Sequence, residues 1–264
     1  MSARLDSMAE KLDEAAIGQH AIAQLSIDTS LSVADAYRVQ NLLVERRLAR
    51  GEKRVGVKLG FTSRAKMIQM GVHDLIWGQL TDAMLVSDGG RLALDEFIHP
   101  RAEPEIAFLI GERLTGELSE QTALAAVRSV APALEIIDSR YSDFKFNLAD
   151  VIADNCSSAA LVVGPWQPLP GDIDNLDVLL EIDGQPAQSG STAAILGHPV
   201  RALVAAARLV AQAGLDLEPG WVVMAGAATA AETLRPGMRV RATVSGIGGV
   251  TFSCDEAPRE KQGR

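Results

Sequence analysis

The most informative stretch of this chain reads His99-Pro100-Arg101-Ala102-Glu103-Pro104-Glu105-Ile106-Ala107-Phe108. In an extended strand, Glu103 and Glu105 lie on one face with their α-carbons roughly 6.6 Å apart, while Ile106 and Phe108 lie on the other. Two carboxylates this close repel each other, so one takes up a proton unless a cation or water separates them. The stretch therefore predicts a divalent metal site or, alternatively, the solvated face of an edge strand.

A third carboxylate interrupts the apolar run Ala133-Leu134-Glu135-Ile136-Ile137. A strand that is apolar on both sides is typical of a buried position, where a lone carboxylate needs a partner. An internal salt bridge from Glu135 to Arg101 or Arg140 is one explanation. Three carboxylates without a nearby Cys or His cluster also suit a hard ion such as Mg²⁺ or Mn²⁺, and they fit zinc poorly.

Capping and stop signals predict two helices in the first 51 residues. The first 26 residues mix charged and apolar side chains as an amphipathic helix does. A second helix is expected from Ser32 to Arg50. Ser32 and Asp35 have capping-box spacing at its start, and Gly51 suits the left-handed residue that closes a helix.

The rest of the chain predicts a strand-rich α+β fold. A short helix is expected from Ser63 to about Met70, which puts Lys58 at a strand-to-loop junction. From about Gly78 onward the pattern turns mostly to β, and a longer helix follows Pro199. Candidate strands lie near Met84–Val86, Glu103–Ile110, Ala133–Asp138, Ala159–Val163, Val178–Ile182, Trp221–Ala225, Met238–Val244 and Val250–Cys254.

Composition excludes several classes of protein. The 264 residues include 25 basic and 34 acidic side chains, a formal charge of −9, which argues against a nucleic-acid partner. The cysteines, Cys156 and Cys254, form no CxxC pair, and the N-terminus lacks the apolar centre of a signal peptide. With no run of about 20 apolar residues, we expect a cytoplasmic protein without a membrane partner. Glycine-rich nucleotide motifs are also absent from the sequence.

Several short segments follow one another in a characteristic order. They are Gly56-Val57-Lys58-Leu59-Gly60-Phe61-Thr62-Ser63, Gln69-Met70-Gly71-Val72, Glu103-Pro104-Glu105, Leu134-Glu135-Ile136-Ile137-Asp138-Ser139-Arg140, Val151-Ile152-Ala153-Asp154-Asn155-Cys156-Ser157-Ser158 and Leu196-Gly197-His198-Pro199. Together they resemble the hydratase/decarboxylase family of meta-cleavage pathways, within the fumarylacetoacetate hydrolase superfamily. The resemblance runs from about Ser32 to Ser253.

The resemblance implies a fold and a division of the chain. The fold is α+β, with a fumarylacetoacetase C-terminal-like core, a mixed β-sheet roll or sandwich, that carries peripheral helices and an N-terminal helical segment. Residues 1–80 are then expected to form the N-terminal helical/αβ segment, which contributes Lys58 and an active-site loop. Residues 81–264 are expected to form the β-rich, metal-binding catalytic core.

The resemblance also assigns roles to the charged residues. It makes Glu103, Glu105 and Glu135 the ligands of Mg²⁺, with Mn²⁺ as an alternative, and Lys58 a catalytic cation that faces the substrate. Without the resemblance, Lys58 reads as a solvated strand end.

Three further residues are expected to contact the substrate. Ser158 resembles the family serine that binds the substrate carboxylate, although it also suits an ordinary strand start. Thr229 closes a turn that begins at Gly226 and either touches the substrate or only reverses the chain. Ile76, before Trp77, stands where the resemblance predicts an acidic residue in hydratases. A hydrophobic side chain cannot relay a proton and discourages water.

The decarboxylase branch of the family is therefore favoured. The resemblance implies metal-dependent decarboxylation of 2-oxo-3-hexenedioate, a small 2-oxo dicarboxylate, to 2-hydroxypenta-2,4-dienoate and CO₂. It also implies a homo-oligomer and a complex with the pathway hydratase. The alternatives are a hydratase, with His73 or Asp74 replacing the missing acid, an acylpyruvate hydrolase and a non-catalytic partner subunit.

Other polar residues have less specific interpretations. Arg54, Arg64 and Arg140 are each candidates to bind the second substrate carboxylate, or they are surface charges. His198 is interpreted as a packing or capping residue at a helix start. Cys156 is interpreted as a buried core residue, because no cation that would activate a nucleophile is evident beside it in the sequence.

Overall fold

The computed structural model describes residues 2–27, 30–63, 67 and 75–256. Its helices in those ranges are α1 Ser2–Ile17, α2 Val33–Ala49, α3 Glu120–Ala125, α4 Leu148–Ala153 and α5 Pro199–Gln212. Its strands are β1 Arg54–Gly60, β2 Ile76–Thr81, β3 Leu85–Val86, β4 Arg91–Leu92, β5 Arg101–Ile110, β6 Val127–Ile137, β7 Ser158–Val163, β8 Asp177–Ile182, β9 Gln185–Ser191, β10 Val222–Met224, β11 Glu232–Thr233, β12 Arg239–Val244 and β13 Gly248–Cys254.

The predicted helices are confirmed where the structure describes them. Ser32 caps α2, because its hydroxyl oxygen accepts a hydrogen bond from the Asp35 amide, and Gly51 follows with φ +104°. Helix α1 is confirmed but ends at Ile17, before Gly18, rather than continuing through the first 26 residues. The helix expected from Ser63 to Met70 lies largely outside the described residues.

The strands form two mixed sheets. The larger sheet has eight strands in the order β2-β1-β10-β5-β6-β7-β3, with β11 also paired to β5, and the smaller has the order β4-β13-β12-β8-β9. Most neighbours are antiparallel; β1 with β10, β3 with β7 and β4 with β13 are parallel. The predicted α+β fold is confirmed, and it places β5 and β6 in the interior of the larger sheet.

All eight predicted strands are present, but the prediction misses others. Strand β9 has no apolar alternation because it is a mostly exposed, polar edge strand, and β4 and β11 are only two residues long. Lys58 lies inside β1 rather than at a strand-to-loop junction. The strand continues because Leu59 and Gly60 still pair with β2.

Apolar clusters pack against the larger sheet. Helix α5 packs on one face, where Leu203 and Val210 belong to the same apolar cluster as Phe108 of β5. The smaller sheet covers the part of β6 that includes Leu134, and α1, α2 and α4 enclose another cluster with Ile76. The segment that contains α5, Thr192–Gln212, has the length and composition of a membrane span, but α5 buries most of its apolar side chains in the core.

Candidate active site

Three carboxylates meet on the face of the larger sheet opposite α5. Glu103 of β5 lies directly across from Glu135 of β6, and Glu105 lies two residues further along the same face. Each offers an oxygen, and these oxygens all lie within 4.8 Å of one another. Because β5 is paired on both sides and all three side chains are buried, the solvated edge-strand interpretation is wrong.

Among the described residues, a lysine shares this site. Lys58 of β1 is buried, and its Nζ lies 3.0 Å from Oε1 of Glu135. The salt-bridge partner of Glu135 is therefore Lys58 and not either arginine. The Arg101 guanidinium instead lies 3.9 Å from the centre of the Phe144 ring, and Arg140 forms a buried ion pair with Asp154.

Burial makes the charged forms of these carboxylates costly. Burial and the charge of Glu135 raise the pKa of Glu105 well above its usual range, and burial raises the pKa of Glu135 as well. Burial opposes the charge of Lys58, but the attraction of Glu135 and its neighbours raises the pKa of the ammonium group overall. Three buried carboxylates that converge in this way could hold a divalent cation.

Within the part of the chain that the structure describes, Glu105 keeps one carboxylate oxygen without a hydrogen-bond donor. Glu105 Oε2 accepts a hydrogen bond of 2.8 Å from the Gly226 amide, which fixes the orientation of the carboxylate. Within the described residues, neither Oε1 of Glu105 nor Oε1 of Glu135 receives a well-oriented hydrogen bond, although the latter lies beside the Lys58 ammonium. Buried, convergent carboxylate oxygens are the ligands that hard divalent ions prefer.

A β-bulge determines the direction of Ser158. Pairing between β6 and β7 follows one register up to Ile136, opposite Ala160, and then shifts so that Ser158 lies opposite Ile137. Since cross-strand partners share a face, the shift puts Ser158 on the face of Glu135. Its hydroxyl is buried and has no hydrogen-bond partner among the described residues.

The Gly226–Thr229 turn contacts the site through its backbone. Gly226 has φ +107°, and a Cβ at this position would lie 2.3 Å from Oγ1 of Thr62. Only glycine therefore lets the turn approach closely enough for its amide to reach Glu105. Thr229 is half-buried, and its hydroxyl donates to the neighbouring carbonyl of Ala230.

Ile76 opens β2 beside the site. Ile76 pairs with Gly60, and two residues further along β2, Gly78 pairs with Lys58. The Ile76 side chain packs among apolar residues of α1, α2 and α4. The position before Trp77 is thus occupied by a buried, apolar side chain and not by an acid. His73 and Asp74 lie outside the described residues.

The remaining candidates have structural contacts. His198 caps α5, since its Nδ1 accepts from the Val200 amide at 3.1 Å. Cys156 is a buried core residue whose pKa burial raises to about 12. Arg54 donates to Gln79 and Glu45, while Arg64 lies outside the described residues.

Comparison with known proteins identifies the family. Residues 54–253 match the model of the fumarylacetoacetate hydrolase C-terminal family. This chain belongs to the fumarylacetoacetate hydrolase family. Within the family it is 54% identical to a 4-oxalocrotonate decarboxylase from Pseudomonas sp., with 95% of this chain and 98% of the relative aligned.

Other members of the family have the same fold or a related activity. A structure of 4-oxalocrotonate decarboxylase from Pseudomonas putida G7, complexed with magnesium and adipate, superimposes with a TM-score of 0.93 at 36% identity, covering 96% of this chain and 98% of the other. A 2-hydroxypent-2,4-dienoate hydratase from Pseudomonas putida is 36% identical over 80% of this chain and 97% of the hydratase. The family therefore includes both reactions that the sequence pattern suggested.

The raised pKa of Glu105 predicts how stability depends on pH. The folded, metal-free chain holds this proton more tightly than the unfolded chain, so the stability that the proton contributes is present at low pH and lost as the pH rises through the raised pKa. A divalent ion bound by Glu105 would compete with this proton. We expect the increase in melting temperature caused by Mg²⁺, relative to EDTA, to grow as the pH rises above the usual range of a glutamate and through the raised pKa of Glu105. An increase that does not vary with pH would contradict this site.

The Gly226 contact predicts a glycine-specific effect on metal affinity. Gly226→Ala displaces the amide that orients Glu105, and we expect it to weaken Mg²⁺ binding by roughly 10-fold to 100-fold in calorimetry. Gly220→Ala is the matched control, because Gly220 also has a positive φ, +86°, but nothing lies within 4 Å of the added Cβ. Equal losses in the two variants would mean that backbone strain, and not the Glu105 contact, is responsible.

Proposed function

We propose that this chain is a Mg²⁺-dependent 4-oxalocrotonate decarboxylase. It converts 4-oxalocrotonate (2-oxo-3-hexenedioate) to 2-hydroxypenta-2,4-dienoate and CO₂ in the meta-cleavage degradation of aromatic compounds. The observation that carries the proposal is the buried group of Glu103, Glu105 and Glu135 beside Lys58. Its support is the similarity over almost the whole chain to proteins of that name.

The three glutamates are proposed to hold the metal. Glu103, Glu105 and Glu135 would bind Mg²⁺, or Mn²⁺. The bound ion would supply a Lewis-acid charge to stabilise negative charge that develops on the 2-oxo group as CO₂ leaves. The Gly226 amide keeps Glu105 oriented by occupying one of its two oxygens. Its other oxygen remains directed into the site without a protein donor among the described residues.

Lys58 is proposed to act as a fixed positive charge or as a proton donor. Burial opposes its charge, but in the metal-free chain the carboxylates around it raise its pKa overall, which favours the protonated ammonium form. Its ammonium group is held at the cluster by Glu135, 3.0 Å away. That position suits stabilisation of the electron-rich oxygen that forms when the leaving carboxylate departs.

Three other residues are proposed to shape the substrate pocket. The hydroxyl of Ser158, buried and without a partner in the described chain, suits a donor to a substrate carboxylate. Thr229 would contact the substrate from the turn that follows β10. Ile76 would keep water away from the reacting carbons, so that loss of CO₂ is not followed by hydration.

Hydration of 2-hydroxypenta-2,4-dienoate is the second candidate function. It is favoured by the 36% identity to a hydratase over most of the chain. The apolar residue Ile76 argues against it, since addition of water needs a group that transfers protons.

The setting of the enzyme is also a proposal. Both cysteines, Cys156 and Cys254, are buried free thiols, which suits the reducing cytoplasm. We further propose a homo-oligomer and a complex with the hydratase that consumes the product, since a hydratase of that class is among the relatives. Residues 1–80 would contribute Lys58 and the active-site loop, and residues 81–264 would form the metal-binding core.

The direct assay follows CO₂ release and dienol formation from 2-oxo-3-hexenedioate with Mg²⁺ and then with excess chelator. We expect chelator to stop turnover, and Glu105→Gln to lower kcat/KM at least about 100-fold while the fold is retained, because a metal ligand is lost. Glu112→Gln, an exposed change of the same kind, is the control. Full activity of Glu105→Gln, or in chelator, would refute the metal site, and hydration without CO₂ would establish the second candidate.

The role of Ile76 predicts a change in product ratio. Ile76→Asp should increase water addition relative to CO₂ release, because it restores a proton-transferring acid beside the reacting carbons. Ile76→Ser is the control for loss of the apolar side chain without an acid. Product analysis by NMR measures the ratio; an identical ratio in wild type, Ile76→Asp and Ile76→Ser would show that residue 76 does not separate the two reactions.

A further inference from the structure

A strained turn lies immediately before Ser158. Asn155, Cys156 and Ser157 all have left-handed backbone conformations, with φ values of 49°, 55° and 57°. None of them is glycine, and residues other than glycine adopt this backbone conformation only at a cost in free energy. Three such residues in succession require contacts that hold them. The turn leads into Ser158, whose buried hydroxyl has no hydrogen-bond partner among the residues that the structure describes.

The side chain of Asn155 supplies the most specific of these contacts. Its Oδ1 accepts from the Gln79 amide, and its Nδ2 donates to the Gln79 carbonyl, both at 2.8 Å. Gln79 belongs to β2, the strand at one edge of the larger sheet. The side-chain amide of Asn155 therefore hydrogen-bonds the backbone of this edge strand as a neighbouring strand would, with one donor and one acceptor.

Neighbouring contacts fix the turn at both ends. The Cys156 thiol donates to the Trp77 carbonyl at 3.1 Å, and the Ser157 carbonyl accepts from the Asp138 amide at 2.8 Å. Between Trp77 and Gln79, a Cβ on Gly78 would lie 2.6 Å from the Asn155 carbonyl oxygen. Glycine at this position lets the turn rest directly on β2.

The same residue of β2 faces the lysine of the site. Gly78 is the register partner of Lys58, so the turn is braced on the strand that lies beside Lys58. The Asn155 side chain thus connects two parts of the site that are distant in sequence. One is the β1–β2 pair that carries Lys58, and the other is the start of β7 with Ser158.

We propose that Asn155 is a positioning residue for the substrate. It holds the left-handed turn in place so that the Ser158 hydroxyl points into the site, and it does not itself contact the substrate. The inference rests on the proposed function, because it takes Ser158 to be a donor to a substrate carboxylate. Asparagine suits the role since it tolerates the left-handed conformation and offers both a donor and an acceptor.

The isosteric change Asn155→Asp separates this role from packing. The ionised aspartate keeps the shape and the acceptor but cannot donate to the Gln79 carbonyl. We expect kcat/KM for 2-oxo-3-hexenedioate to fall roughly 10-fold, mainly through KM, with the Mg²⁺ affinity unchanged. Asn175→Asp, the same change at an exposed position, should have no effect.

A double-mutant cycle tests whether Asn155 acts through Ser158. If it does, Asn155→Asp should lower kcat/KM of the Ser158→Ala variant by less than about two-fold. Fully additive losses, or wild-type KM in Asn155→Asp, would overturn the proposal. If Asn155→Asp does not fold, Gly78→Ala makes the decision, because its Cβ displaces the same turn and should raise KM in the same Ser158-dependent way.

Adipate binding separates this proposal from the proposed function. Calorimetry with Mg²⁺ and adipate, an unreactive dicarboxylate, measures recognition without turnover. We expect Asn155→Asp to weaken adipate binding about 10-fold in the wild-type protein and to cause no further loss in the Ser158→Ala variant. That result supports the positioning role even if no CO₂ is released. Unchanged adipate affinity in Asn155→Asp overturns the role even if the wild type is an active decarboxylase, and a wild type that neither binds adipate nor releases CO₂ overturns both.

Discussion

The burial of three glutamates on one face of a sheet is the constraint on which the site depends. Glu103 and Glu135 face each other across β5 and β6, Glu105 lies next to them, and Lys58 is the ammonium group paired with Glu135. Removing like charges from water is costly unless an opposite charge compensates them. The raised pKa of Glu105 expresses that cost in the metal-free chain, and a divalent ion would remove it. The cluster therefore makes sense as a site for an ion and not as a feature that stabilises the fold.

The surrounding fold keeps this unfavourable cluster in place. Strand pairing on both sides of β5 fixes the backbone of two ligands, and α5 and the smaller sheet bury the apolar faces behind them. Glycines allow two close approaches that no other residue permits. Gly226 brings a backbone amide to Glu105, and Gly78 lets the turn before Ser158 rest on the strand beside Lys58. Rigid elements thus orient each group before any substrate arrives, as catalysis by fixed charges requires.

Much of this arrangement could be predicted from local sequence signals. The period of two put Glu103 and Glu105 on one face, and the apolar neighbours of Glu135 indicated its burial. The partner of Glu135 could not be predicted, because Lys58 reaches it only through the order β1-β10-β5-β6, which joins strands far apart in the chain. The direction of Ser158 depends on a bulge, and polar strand β9 lacks the alternation that marks a strand. The amide of Gly226 carries no side-chain signal, so its contact with Glu105 was missed.

The most direct test of the central claim is a crystal structure of the protein with Mn²⁺ in place of Mg²⁺, in which anomalous scattering locates the ion. The account predicts an anomalous peak bounded by carboxylate oxygens of Glu103, Glu105 and Glu135, with Lys58 still beside the cluster. Mn²⁺ suits the test because it accepts the same oxygen ligands as Mg²⁺. A peak elsewhere, or three glutamates that remain metal-free at saturating Mn²⁺, would contradict the account.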